Sequence, residues 1–91
     1  MFTNDLKKGE YIRLRNGWDA RIEDNMKGNT RLCTVYGDFE EMGSVYSHDI
    51  MFAYVNSNGK TIDEARNCPT ARVEHTEKQE ALRQRVKAMG F

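Results

Sequence analysis

The stretch Gly9-Glu10-Tyr11-Ile12-Arg13-Leu14-Arg15-Asn16-Gly17-Trp18-Asp19-Ala20-Arg21-Ile22 decides the fold. Ile12 and Leu14 alternate with Tyr11, Arg13 and Arg15, and Trp18, Ala20 and Ile22 alternate with Asp19 and Arg21. Period two on both sides of Asn-Gly is the signal of a strand, a tight turn and a second strand. A two-residue turn at Asn16-Gly17 would set Leu14 against Asp19, which a buried face does not accept. A three-residue loop, Asn16-Gly17-Trp18, sets Leu14 against Ala20, Ile12 against Ile22 and Arg15 against Asp19. The pattern therefore predicts an odd-length loop with a glycine-type bulge. Ile12, Leu14, Ala20 and Ile22 face inward, with Trp18 on the same face.

Working outward, Asp24 to Asn29 is a turn-rich connection and Thr30 to Tyr36 a strand rich in Thr, Val and Tyr. Gly37-Asp38 marks a turn. Phe39–Glu41 and Ser44–Ser47 flank Gly43 as either one bulged strand or two short ones. Ile50 to Val55 is a further strand, and Asn56 to Lys60 a turn. Four to six short strands with turns every 8–12 residues point to a barrel or sandwich. Thr61-x-x-Glu64 is a capping pattern for a short helical turn before Pro69, and Thr76-Glu77-Lys78-Gln79 is a stronger capping box. Leu82, Val86 and Met89 follow at i, i+4 and i+7, with Gly90 as a stop. So narrow a stripe makes a helix that must dock, on its own sheet or on a partner. The expected fold is mainly β (α+β): one domain over 1–91, with a small curved antiparallel sheet or SH3-like barrel over about 9–56 and a C-terminal α-helix over about 76–89.

At 91 residues the core is thin, and a deep catalytic cleft is not expected. The longest apolar run, Ile50 to Val55, is far short of the roughly 20 residues of a helical span. The N-terminus lacks the charged-then-apolar order of a signal peptide, so the chain is expected in the cytoplasm, with Cys33 and Cys68 as thiols. The net charge is zero but unevenly spread. Residues 1–36 carry seven basic and five acidic groups (+2), residues 37–64 one and six (−5), and residues 65–91 six and three (+3). Such a basic–acidic–basic order is either a mixed solvated surface or a pair of faces that steer a charged partner.

Ser47-His48-Asp49 holds the residue types of a hydrolase triad, but adjacent residues cannot line up as nucleophile, base and orienter, and no glycine-flanked elbow surrounds Ser47. His48 and His75 share no ligand spacing with the cysteines. No cofactor, no metal and no enzymatic activity are expected. The basic and polar residues are more informative. Arg13, Arg15 and Arg21 project from the outer face of the first hairpin, and Asn25, Lys27, Asn29 and Arg31 follow in the next loop and strand. Cationic groups with amide neighbours suit phosphate oxygens, although Asp19, Glu23 and Asp24 interleave with them. Lys27 and Arg31 are expected as surface contacts whose replacement costs little stability.

Leu6 to Gly17 looks like the first strand and turn of SH3-like and KOW-type barrels. Asn16-Gly17-Trp18, the segment Asp24 to Arg31 and the segment Glu41 to Ile50 together resemble small proteins carried by phages and plasmids, of the anti-CRISPR type that blocks type I surveillance complexes. The resemblance covers residues 6–55. It implies a non-enzymatic inhibitor in an infected or plasmid-bearing bacterial host. Its partner would be the crRNA-loaded Cas complex, bound on a surface meant for target DNA. Arg13, Arg21, Asn25, Lys27, Asn29 and Arg31 would then face RNA or acidic protein, and Asp38, Glu40 and Glu41 a basic groove. The alternative is an SH3-like or KOW-type nucleic-acid-binding module, and a third class is a small hydrolase using His48.

Overall fold

The structure, a computed structural model, describes residues 1–88. The expected helix positions Met89 and Gly90 lie outside that range. Six strands run β1 (Tyr11–Leu14), β2 (Asp19–Ile22), β3 (Thr30–Tyr36), β4 (Glu40–Tyr46), β5 (Ile50–Tyr54) and β6 (Thr70–Arg72). They form one antiparallel sheet in the order β4-β3-β2-β1-β5-β6, a curved open sheet with β4 and β6 as its edges. A short helix, α1 (Ile62–Ala65), precedes β6, and α2 (Glu77–Ala88) closes the chain. No described helix is long and apolar enough to cross a membrane.

The first hairpin has an odd loop, but its register differs from the expected one by two residues. Ile12 pairs with Ala20 and Arg13 with Asp19, so the loop is Arg15-Asn16-Gly17. The Gly17 amide donates to the Leu14 carbonyl at 2.9 Å, closing a turn, and Gly17 itself sits at φ +90°. Glycine carries that third loop position because a Cβ is strained there. A shift of two preserves which side chains face inward. Ile12, Leu14, Ala20 and Ile22 are all buried, and with Leu6, Cys33, Ile50, Ala53 and Val73 they make the main core. Arg15 therefore does not face Asp19; Arg13 does.

β4 is one regular strand, not two. Seven successive pairs run from Thr30–Tyr46 to Tyr36–Glu40, with Gly43 opposite Cys33. Its sequence has little strand propensity, so pairing with β3 defines it. Ser47–Asp49 is a single 3-10 turn between β4 and β5. β6 pairs with β5 through Phe52–Arg72, Ala53–Ala71 and Tyr54–Thr70, and was not expected from the sequence. Both capping boxes form. The Thr61 hydroxyl accepts from the Glu64 amide, and the Thr76 hydroxyl accepts from the Gln79 amide while Gln79 Oε1 accepts from the Thr76 amide at 2.9 Å. α2 buries Val86, half-buries Leu82 and Arg83, and packs on the Ser47–Asp49 turn.

The opposite face of the sheet carries a second, smaller core. Tyr11, Tyr54 and Ala65 are buried there, with Tyr36, Ile62 and Cys68 against them. The Asp19 carboxylate, 5% exposed, anchors it. It accepts from Tyr54 Oη at 2.6 Å, Arg66 Nε at 3.0 Å and Arg13 Nε at 3.3 Å. Arg66 follows α1, so this carboxylate ties α1 to β2 and β5. Cys33 and Cys68 are free thiols, and burial pushes Cys33 up to about 12, which keeps it un-ionised and unreactive.

Candidate partner-binding surface

The candidate residues do not form one site. Asn25, Lys27 and Asn29 lie in the loop at one end of β3, and Asp38, Glu40 and Glu41 lie at or beyond its other end. Seven residues of strand separate them by roughly 20 Å.

The expected basic surface is largely tied down. Arg13 pairs with Asp19, and Arg21 reaches Glu23 Oε2 through Nε at 3.0 Å and Nη2 at 2.8 Å. Glu23 also accepts from the Thr34 hydroxyl, and these hydrogen bonds from Arg21 and Thr34 hold its carboxyl below the ordinary range. Arg15 pairs with Asp49 at 3.2 Å. Asn25 is exposed, and its Oδ1 accepts from the Lys8 amide at 3.0 Å. Asn29 is exposed, and its carbonyl accepts from the Ser47 amide. Among the expected cations, Lys27 is exposed and forms no ion pair among the described residues.

Arg31 is a correction. It was expected on the surface, yet it is 2% exposed. Strand alternation puts it on the inward side with Cys33 and Val35, opposite Val45. Its Nη1 donates to the carbonyls of Gly28 (3.0 Å) and Thr30 (2.9 Å) and to Ser47 Oγ (3.2 Å), and its Nη2 to Asn4 Oδ1 at 2.7 Å. The guanidinium thus fastens the N-terminal segment, the β2–β3 loop and the Ser47 turn together. It is not available to a partner.

The acidic candidates are accessible. The β3–β4 loop is Gly37-Asp38-Phe39, and Asp38, Phe39, Glu40, Glu41 and Met42 are all exposed. Phe39 is 75% and Met42 66% exposed. Asp38, Glu40 and Glu41 take part in no ion pair among the described residues. Glu40 is paired with Tyr36 and Glu41 with Val35, so their side chains leave opposite faces of the strand. Charges on an edge strand keep it from pairing with other chains. Large apolar side chains at the same edge do the opposite. Sequence reasoning named the carboxylates and missed Phe39 and Met42. Its available signal was a phenylalanine inside the acidic run, directly after the turn glycine.

Trp18 is on the expected face but is not buried. It lies at the sheet's end, where it is 43% exposed. With Leu14, Val35, Val45 and Tyr46 it lines a groove of about 480 Å³, with Arg15 and Asp49 at one end. The indole lies across Gly37, where a Cβ would sit 2.6 Å from its ring carbons. Gly37→Ala should therefore push the indole off the sheet. The expected result is a red-shifted tryptophan emission, read from the chain's sole tryptophan, and a stability loss of about 1–3 kcal/mol. An unchanged spectrum would mean that the indole does not rest there.

His48, candidate of the hydrolase class, is 3% exposed in the 3-10 turn, under a stacked Tyr46 ring at 4.9 Å. Its Nε2 lies 3.7 Å from Asp49 Oδ1, while Ser47 Oγ donates to Gly28 O at 2.6 Å. The three adjacent residues thus make no nucleophile–base–orienter chain. Among the described residues no group of three His, Cys, Asp or Glu side chains could hold a metal ion. Comparison with family models, with curated proteins and with solved structures gives no match.

Proposed function

We propose that the protein is a non-enzymatic inhibitor that inserts its acidic β3–β4 hairpin into a basic, DNA-accepting groove of a crRNA-loaded CRISPR–Cas complex. The observation that carries this reading is the hairpin tip: an exposed Phe39 among three carboxylates that form no ion pair among the described residues. Carboxylates spaced along an exposed edge present the charge that a DNA-binding groove accepts, and a protruding aromatic ring supplies an anchor. The kind of partner rests on the resemblance over residues 6–55.

The same geometry weighs against a nucleic-acid-binding module of the ordinary kind. Phosphate contacts need cations free to exchange their counterions. Here Arg13, Arg15 and Arg21 already hold carboxylates, and Arg31 is buried. The acidic part of the charge pattern is left as an accessible surface.

Affinity for a crRNA-loaded type I surveillance complex tests this. Reversing Asp38, Glu40 and Glu41 to Lys should weaken binding by about tenfold or more and remove most of its salt dependence. Phe39→Ala should cost roughly tenfold to thirtyfold, the loss expected for an interfacial anchor. Both variants should melt close to wild type, since the positions are exposed. Unaltered affinity in both would remove the hairpin from the interface. Salt-sensitive binding of free DNA or RNA by the wild type would favour the nucleic-acid module.

A further inference from the structure

A second accessible feature is independent of the hairpin. α2 and the Ser47–Asp49 turn enclose a cleft of about 260 Å³, lined by Arg15, Tyr46, His48, Asp49, Arg83 and, with Val86, Lys87. Pockets for drug-sized ligands run from about 300 to 1,000 Å³, so this one suits a head group. Three cations and one carboxylate meet there, and the carboxylate already accepts from Arg15 Nε at 3.2 Å. Arg15 also donates through Nη2 to the His48 carbonyl at 2.6 Å, which fixes it against the turn.

Arg83 and Lys87 are one helical turn apart, so they share a face of α2. Like charges at that spacing destabilise a helix. Neither forms an ion pair or a side-chain hydrogen bond among the described residues. Cations near a helix C-terminus favour the helix dipole, which accounts for Lys87 and for the exposed Arg85. It does not account for Arg83, which is half-buried on α2 and has no ion-pair partner among the described residues. His48 adds a buried ring nitrogen, Nδ1, with no hydrogen-bond partner. Burial lowers its basicity against the pull of Asp49, and Arg15, His75 and Arg83 lower it further. Buried polar atoms are otherwise almost always satisfied.

We propose that this cleft binds a phosphate group, held by Arg83 and Lys87 from α2, with Arg15, whose Nε and Nη2 stay on Asp49 and the His48 carbonyl, offering only its Nη1 from the other wall. A planar carboxylate is satisfied by one guanidinium in bidentate fashion. Cations on two walls suit a tetrahedral dianion whose oxygens leave in several directions. The phosphate belongs either to the free ion or to a monoester. Arg15, Tyr46 and Asp49 also border the Trp18 groove, so a flat group attached to the phosphate would lie on Tyr46 and toward Trp18.

The test is a titration of the intact protein at constant ionic strength with inorganic phosphate, with adenosine 5′-monophosphate and with adenosine. Isotope-edited NMR and Trp18 emission are the readouts. Saturable phosphate binding that shifts Arg83 and His48, and that sulfate but not chloride displaces, supports the proposal with the free ion as ligand. Binding of the monophosphate about tenfold more tightly than phosphate, with a change in Trp18 emission, supports it with a monoester as ligand. Arg83→Gln with Lys87→Gln should weaken either by about tenfold or more. Lys87→Gln alone, at an exposed position that leaves the helix intact, should weaken it roughly twofold to fivefold. Lys78→Gln, in the first turn of α2, should change nothing. No saturable binding of any phosphate overturns the proposal. So does adenosine binding as well as its monophosphate, or unchanged affinity in a folded Arg83→Gln, Lys87→Gln variant.

Discussion

Arg31→Glu is expected to abolish the cooperative thermal transition or lower it drastically, while Lys27→Glu, four residues away, leaves it within about 0.5 kcal/mol of wild type. The substitution removes four donated hydrogen bonds, to Gly28, Thr30, Ser47 and Asn4, and buries a carboxylate where a guanidinium lay. Breaking a buried charged network costs about 3–5 kcal/mol, and a domain holds only about 5–15 kcal/mol in total. Arg31 sits where the N-terminal segment, the β2–β3 loop and the β4–β5 turn meet, so its loss releases three segments together. Circular dichroism melting measures the effect. A midpoint within a few degrees of wild type would show that the guanidinium is not a fastening.

Asp19→Ala is expected to cost about 2–4 kcal/mol. It strands the Tyr54 hydroxyl, which is buried beside it, and frees Arg13 and Arg66. The arginines are about half exposed and regain water, so most of the cost falls on Tyr54. Asp19→Asn keeps an acceptor and should cost less. The same carboxylate predicts an acid dependence. Burial pushes Asp19 up, but hydrogen bonds from Tyr54, Arg66 and Arg13 outweigh it and hold the group below its ordinary 3.8. A carboxylate depressed in the folded state contributes stability that is present above its unfolded value and is lost as pH falls through the folded one. Wild type should therefore lose stability as pH drops below about 3.8, and Asp19→Asn should lose less over that interval. Parallel acid curves for the two proteins would assign the acid sensitivity elsewhere.

The particular residues show what the sequence could and could not specify. Alternation on both sides of Asn16-Gly17 determines which side chains face inward, because any odd loop gives the same parity. It does not choose between loops at 15–17 and 16–18. That choice follows from Gly17, whose φ of +90° belongs at the third loop position. The capping boxes at Thr61 and Thr76 were legible because they are local, with both partners within four residues. β6 was not, since Thr70-Ala71-Arg72 has one apolar residue and forms only by pairing with β5.

Among the candidate contact residues, the misassignment of Arg31 came from its charge, although its parity with Cys33 and Val35 already placed it inward. The pairing of Arg13 and Arg21 by Asp19 and Glu23 was partly legible in the interleaved charges. The groove at Trp18 and the cleft at Arg83 were not, because each depends on elements distant in sequence. The acidic hairpin was legible as charge. Its exposure with Phe39 at the tip required the structure.

Competition with target DNA tests the central claim most directly. A crRNA-loaded type I surveillance complex is titrated with this protein in the presence of labelled target DNA, and the fraction of bound DNA is followed. The hairpin reading predicts that wild type displaces the DNA in a saturable, salt-sensitive manner. The variant with Asp38, Glu40 and Glu41 reversed to Lys should fail to displace it. A stable assembly holding complex, DNA and protein together, or equal displacement by wild type and the reversed variant, would contradict it.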